Sequence, residues 1–297
     1  MKSGFIGLVG RPNVGKSTLL NAIIGKKVAI TSNKPQTTRN IIQGIRTDEE
    51  SQMVFVDTPG IHKPKNKLGR VLNKEAYFTI NDVDIILLLV DITESFGKGD
   101  RFVIDILKNV NKPVILVINK IDKLPKEEIL KKIDEYNDLY NFDEIVPISA
   151  YKLDNVDRLI NILKGKLTDN IKYYDEDMYT DKSTGFIISE LIREKILELT
   201  YDEIPHSISV IVEQINCSSD KVNIMATIVV DRDNVKKIIV GKKGSMIKEI
   251  GTNARIEIEK FLNNKVYLEL FVKVIPKWRD REKFLNEVGF KEFNDGK

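Results

Sequence analysis

Residues 10–17 read Gly10-Arg11-Pro12-Asn13-Val14-Gly15-Lys16-Ser17 and fit G-x-x-x-x-G-K-[ST], a spacing suited to holding a polyphosphate. Glycines accept backbone angles that turn successive N–H groups toward one point, which makes an anion cradle. The helix expected after the loop adds uncapped N–H groups and partial positive charge. Lys16 brings a mobile full charge for β- and γ-phosphates, and Ser17 offers a hydroxyl to magnesium. Asp57-Thr58-Pro59-Gly60 supplies a carboxylate that can hold magnesium through water, and a Gly60 N–H that can face a γ-phosphate. Between these loops, residues 31–40 are polar and aperiodic, a switch candidate or simply a solvated loop. A hydroxyl from this stretch would complete the magnesium shell; Thr38 is the first choice and Thr37 the close alternative. Its release on hydrolysis would be an order-to-disorder switch.

Asn119-Lys120-Ile121-Asp122 separates GTP from ATP chemistry. An aspartate can accept from both the ring N1–H and the exocyclic amine of guanine, and adenine has no such donor pair on that edge. Adenine would leave Asp122 partly unpaired, a costly state in a partly dry pocket. Lys120 can cover the base with its alkyl stem, Asn119 can brace the loop, and Ser149-Ala150 can give an N–H to the guanine oxygen. After Gly60 comes Ile61, where a water-positioning glutamine would be expected. Slow intrinsic hydrolysis follows, with a catalytic group or ion supplied in another way. His62 is a weaker candidate base, equally readable as a packing group.

The elements that must position these residues alternate in type. Strands are expected at 5–9, 40–46, 52–56, 83–90, 114–118 and 144–148, and helices at 17–24, 68–79, 101–109, 126–136 and 155–167. Later strands are nearly all apolar, as in a sheet covered on both faces. That order predicts a doubly wound α/β sheet, whose ligands bind at the carboxyl ends of its strands, where every motif above falls.

Residues 168–184 are polar and tyrosine-rich and read as a linker. A helix face at 187, 188, 191, 192 and 196, strands at 207–215 and 222–230, a helix at 234–240, a second helix over 247–261 and a strand at 265–274 follow. The helices meet at Gly241-Lys242-Lys243-Gly244. A G-x-x-G turn lets backbone approach a nucleic-acid strand, and Lys242 and Lys243 can meet its phosphates. Lys236, Lys237, Lys242, Lys243, Lys248 and Arg255 stand against Glu249 alone between positions 236 and 255. Single-stranded RNA suits such a clamp better than duplex DNA.

Composition bounds the rest. At 297 residues two domains are expected, and a net charge of +3 excludes a general polyanion-binding coat. A single cysteine, Cys217, excludes an internal disulfide framework and cysteine-pair zinc sites. The N-terminus lacks a secretory apolar run and the longest apolar stretch is too short to span a bilayer, so a cytoplasmic protein is expected.

The whole chain resembles the Era family of ribosome-assembly GTPases, a Ras-like domain followed by a type II KH domain. The resemblance is carried by residues 10–18, Gln36-Thr37-Thr38-Arg39, Asp57 to Pro64, Asn119 to Asp122, Ser149-Ala150 and, further on, Glu190, Arg193-Glu194-Lys195, Ile239 to Gly244, Ile247 to Gly251, Ala254-Arg255, Val272-Lys273-Val274 and Trp278-Arg279. It implies a GTPase domain over 1–170, a linker at 171–183 and a KH domain with C-terminal tail over 184–297. GTP and GDP would be held by Gly10, Asn13, Val14, Gly15, Lys16, Ser17, Thr18, Asp57, Gly60, Asn119, Lys120, Asp122, Ser149 and Ala150. Magnesium would sit on Ser17 and Thr38. The catalytic set implied is Lys16, Thr38, Asp57, Gly60 and Asn13, the last as a ligand to a potassium ion that adds charge at the phosphates. RNA would meet Lys236, Gly241, Lys242, Lys243, Gly244, Lys248 and Arg255. The resemblance further implies 16S ribosomal RNA near its 3′ end and the 30S subunit as partners, peripheral inner-membrane association, and a monomer. Two alternatives stay open: a C-terminal unit that binds protein, and a nucleotide-binding protein that does not hydrolyse.

Overall fold

The computed structural model describes residues 1–34, 37–60, 67–201, 204–218, 220–281 and 284–285. The chain forms two compact units, the main break falling after Asp181. In the first, β1 (Lys2–Gly10), β2 (Ile42–Thr47), β3 (Ser51–Asp57), β4 (Ile85–Asp91), β5 (Val114–Asn119) and β6 (Glu144–Pro147) make a sheet in the order β2-β3-β1-β4-β5-β6. β2 is antiparallel to β3, and the remaining pairs are parallel. The helices are α1 (Lys16–Ile24), α2 (Lys67–Asp82), α3 (Lys98–Leu107), α4 (Lys126–Asn137) and α5 (Val156–Lys166).

Every residue of β3, β4 and β5 is buried, which is why these strands read as continuous apolar runs rather than alternating ones. The parallel register pairs Leu8 with Asp57, Gly10 with Leu89, Asp91 with Asn119 and Ile118 with Pro147, so these strands end along one rim of the sheet. Packing beneath the rim holds it: Leu116 is 0% exposed, and truncating such a core leucine to alanine costs about 2–5 kcal/mol.

The polar stretch after α5 contains no helix, yet it is pinned to the sheet. Ser3 and Asp169 exchange backbone hydrogen bonds, and Ile45 N–H donates to Tyr179 O at 3.0 Å. The N–H groups of Tyr173 and Tyr174 donate to Gln52 Oε1 at 2.8 and 2.9 Å, and Gln43 N–H donates to Asp181 Oδ1 at 3.0 Å. Gln52 is a fully buried amide within β3, so it requires these partners.

The second unit contains α6 (Thr184–Leu199), β7 (Ile208–Cys217), β8 (Val222–Val230), α7 (Asp233–Val240), α8 (Ser245–Leu262) and β9 (Val266–Val274). Its sheet runs β7-β8-β9, with β7 antiparallel and β9 parallel to β8. Ser183 starts α6 by accepting the Phe186 N–H at 3.2 Å. Ile188, Ile192, Ile196, Ile239, Ile250 and Ile258, all 0% exposed, pack against alternate strand residues such as Ile224, Ala226 and Ile228. The architecture is a Ras-like, doubly wound P-loop unit followed by a smaller α+β unit of KH type. Among the described residues no helix is long and apolar enough to cross a membrane.

Candidate functional site

The phosphate loop joins β1 to α1, and Gly15 at its end has φ 100°. A side chain at Gly15 would also place its Cβ 2.2 Å from Asn119 Nδ2, so glycine is required twice over. No side chain caps α1 and no acidic residue occupies its first turn, which leaves its N–H groups, those near Thr18 included, for an anion. Lys16 is 6% exposed and donates to Gly10 O at 3.2 Å and Arg11 O at 3.1 Å. Burial lowers its pKa and the nearby Asp57 charge opposes that shift.

Asp57, at the end of β3, is fully buried. Burial raises its pKa, against the Lys16 charge and hydrogen bonds from Ser17 and Thr38. Its Oδ2 accepts Ser17 Oγ–H at 2.6 Å and Thr38 Oγ1–H at 3.4 Å, and the two hydroxyls lie 2.8 Å apart. Its Oδ1 is buried and takes no hydrogen bond from any described residue. Two hydroxyls and a carboxylate with a spare buried oxygen form the hard oxygen set that magnesium prefers. The Thr37 hydroxyl donates instead to Lys34 O at 2.6 Å, so the geometry favours Thr38 of the two threonines. Gly60 comes within reach of the loop because a Cβ there would lie 2.8 Å from Pro12 N.

The guanine end is braced to the phosphate end. Asn119 Nδ2–H donates to Val14 O at 2.9 Å, its Oδ1 accepts Ala150 N–H at 3.0 Å, and Lys120 Nζ donates to Asn13 O at 2.9 Å and to Asp91. Burial pushes the Asp91 carboxyl up, but hydrogen bonds from Lys120 and Thr93 hold it below its ordinary value. Ser149 Oγ–H fixes Asp122 through Oδ1 at 2.6 Å. Ser149 N–H donates to Asp154 O and Ala150 N–H to Asn119, so both groups expected to meet the guanine oxygen are already engaged.

A further anchor has no motif to announce it. Arg11 Nη1 pairs with Asp100 at 3.0 Å and Glu94 at 2.9 Å, and Asp100 Oδ2 also accepts Gly97 N–H at the start of α3. The same residue's carbonyl receives Lys16, so this ion pair fixes the apex of the cradle.

In the second unit, Gly241, Lys243 and Gly244 have φ of 74°, 53° and 79°, and a Cβ at Gly241 would lie 2.7 Å from Met246 N. Lys236, Lys242, Lys243 and Lys248 are exposed. A groove of about 400 Å³ lies between α8 and β9; Lys248 and Arg255 line it with Ile247, Gly251 and Thr252 on one wall and Tyr267, Leu268 and Leu270 on the other. Lys236 and the turn residues Gly241, Lys242, Lys243 and Gly244 do not line this groove. Arg255 is tethered by Glu259 at 3.1 Å.

Residues 5–120 match the family model described as 50S ribosome-binding GTPase, and residues 203–279 match that of the KH domain. A structure of an Aquifex aeolicus Era variant bound to GDP·AlF4⁻ is 42% identical, covering 98% of this chain and 100% of that one with a TM-score of 0.93. A structure of Era in complex with MgGDPNP and nucleotides 1506–1542 of 16S ribosomal RNA is likewise 42% identical, covering 98% and 99% with a TM-score of 0.93. The chain belongs to the Era family. Three features of this Era-family site escaped sequence reasoning: the Arg11 anchor, the internal use of the Ser149 and Ala150 N–H groups, and the β9 wall of the groove. Only the last had a signal, the alternation in Val266–Val274 that sets Tyr267 and Phe271 out of phase with the core residues. Gln36, Ile61, His62, Lys63 and Pro64 of the Era-like motifs lie outside the described residues.

Proposed function

We propose that this Era-family chain is a GTP-hydrolysing switch that binds 16S ribosomal RNA near its 3′ end and assists maturation of the 30S subunit. The observation that carries this function is the bracing of one pocket at both ends: Asp57 beside Ser17, Thr38 and Lys16, and Asp122 held by Ser149, joined through Asn119 and Lys120. The GDP·AlF4⁻ complex of a 42% identical relative supports hydrolysis, and the RNA complex of another supports the partner.

Ser17 and Thr38, with Asp57 behind them, would hold magnesium; when bound, the ion would supply positive charge that offsets the phosphoryl oxygens. Lys16 leaves the Gly10 and Arg11 carbonyls to meet the β- and γ-phosphates, which cancel the cost of burying it. Loop N–H groups and that of Gly60 hold the same oxygens, so catalysis is mainly electrostatic, with water attacking phosphorus directly. Asp122 selects guanine and Lys120 covers the base. Asn13, tied through Nδ2–H to Asn33 O at 2.7 Å, would be the residue to hold a potassium ion that adds charge at the phosphates. RNA lies in the α8/β9 groove with its phosphates on Lys242, Lys243 and Lys248. A cytoplasmic monomer with peripheral membrane association completes the proposal on family grounds.

Single-turnover phosphate release with GTP and ATP, in potassium against sodium buffer, tests the enzymatic half. Magnesium-dependent release from GTP alone, faster in potassium and lost in Lys16→Ala, is the outcome expected. Release from ATP at the same rate would overturn it.

A further inference from the structure

Alternation along β9 sends Val266, Leu268, Leu270 and Val272 toward the helices and leaves Tyr267, Glu269, Phe271 and Lys273 on the other face of the sheet. Tyr267 and Phe271 are 52% and 51% exposed. Their partners across β8 are Asn223 and Thr227, too small and polar to cover a ring. Four residues apart on a strand, the rings stand roughly 13 Å from each other, so each offers its own face. Lys221 Nζ lies 5.4 Å from the Tyr267 ring centroid, and Lys273 is exposed on the same side. Tyr267 also lines the α8/β9 groove, which makes the two surfaces continuous around the edge of the sheet.

We propose that Tyr267 and Phe271 form a stacking platform for two bases of single-stranded RNA that has passed through the groove, extending the footprint beyond the roughly four nucleotides a G-x-x-G clamp holds. This rests on the RNA-binding role above. RNA fits this face better than a protein partner does. Lysines flank both rings, Lys221 over Tyr267 and Lys273 two residues beyond Phe271, and the aliphatic neighbour on this face is Met225, opposite Glu269, which leaves each ring a base-sized stacking face beside a phosphate-seeking charge. Glu269 lies between the rings, and its Oε1 accepts the Tyr267 hydroxyl at 3.2 Å, which orients that ring.

The test compares the full chain with Phe271→Leu and with Tyr267→Leu/Phe271→Leu, measuring affinity for single-stranded RNAs of about four and about twelve nucleotides at matched salt. Both side chains are exposed, so folding should be kept, and a thermal melt checks it. The longer RNA should bind the double variant about tenfold more weakly or worse, and Phe271→Leu alone, whose side chain does not line the groove, should weaken the longer RNA while leaving the shorter one unchanged. Phe271→Trp should retain affinity and report quenching by the longer RNA only, against the fully buried Trp278. Equal binding of the longer RNA by the double variant, equal losses for both lengths in Phe271→Leu, or a loss explained by a broken protein dimer would each overturn the platform. Wild-type protein that binds neither RNA would overturn the underlying RNA role itself, whatever the aromatics do.

Discussion

Lys16 and Asp57 are 6% and 0% exposed, the lysine held on backbone carbonyls and the aspartate on the Ser17 and Thr38 hydroxyls, whereas the cations at the Gly241–Gly244 turn stand in solvent. The first arrangement is costly until its ligand arrives: burial displaces both ionisations, and Asp57 Oδ1 takes no bond from any described residue. The second costs little, because exposed lysines keep their hydration until phosphates displace counterions. Deleting one buried charge should therefore disable the nucleotide site, while deleting exposed lysines should weaken RNA binding in graded, salt-dependent steps.

The largest effect should come from Lys16→Ala, which removes the buried charge held on the Gly10 and Arg11 carbonyls and proposed to meet the phosphates. Hydrolysis should fall by about 10²–10³-fold or more in single-turnover assays. Next is Asp122→Asn, which replaces an acceptor with an amide donor. GTP affinity should fall about 10²-fold or more while xanthosine triphosphate, with an oxygen where guanine carries its amine, gains. Competition binding with both nucleotides checks this reversal.

On the exposed side, Lys242→Ala/Lys243→Ala should lower the slope of log affinity against log salt by about 1.4, at about 0.7 per phosphate contact, leaving GTP hydrolysis without RNA unchanged. RNA titrations over several salt concentrations measure it. The smallest effect concerns pH. The Asp57 pKa is raised in the folded state, so between its ordinary and raised values the nucleotide-free protein holds a proton the unfolded chain has lost. Its contribution to stability thus falls as pH rises through that window. Magnesium binding favours the ionised carboxylate, so magnesium-dependent GDP affinity should instead rise with pH over the same window. Affinity measured with and without magnesium across that range separates the two trends.

The two regions also differ in how far they could be read from sequence. Phosphate and guanine loops were legible because their chemistry needs particular residue types at short spacing, at the ends of strands whose apolar runs mark burial on both faces. The Arg11 pairs with Glu94 and Asp100 were not, since surface-type charges more than eighty positions apart carry no local pattern. Nor was the pinning of residues 169–181, which depends on Gln52, an amide inside a strand that otherwise looks like ordinary core. In the second unit the turn was visible and its opposing wall was not: G-x-x-G is a backbone signature, whereas the groove is formed by Ile247, Gly251 and Thr252 of α8 standing opposite Leu268 and Leu270 of β9, a juxtaposition with no local pattern.

The most direct measurement is calorimetric titration of the purified chain with non-hydrolysable GTP and ATP analogues, each in magnesium and in EDTA. Binding of the guanine compound that weakens sharply without magnesium, beside little or no uptake of the adenine compound, is the result expected. Comparable binding of both, or guanine binding indifferent to magnesium, would contradict the pairing of Asp57 with a cation and of Asp122 with guanine.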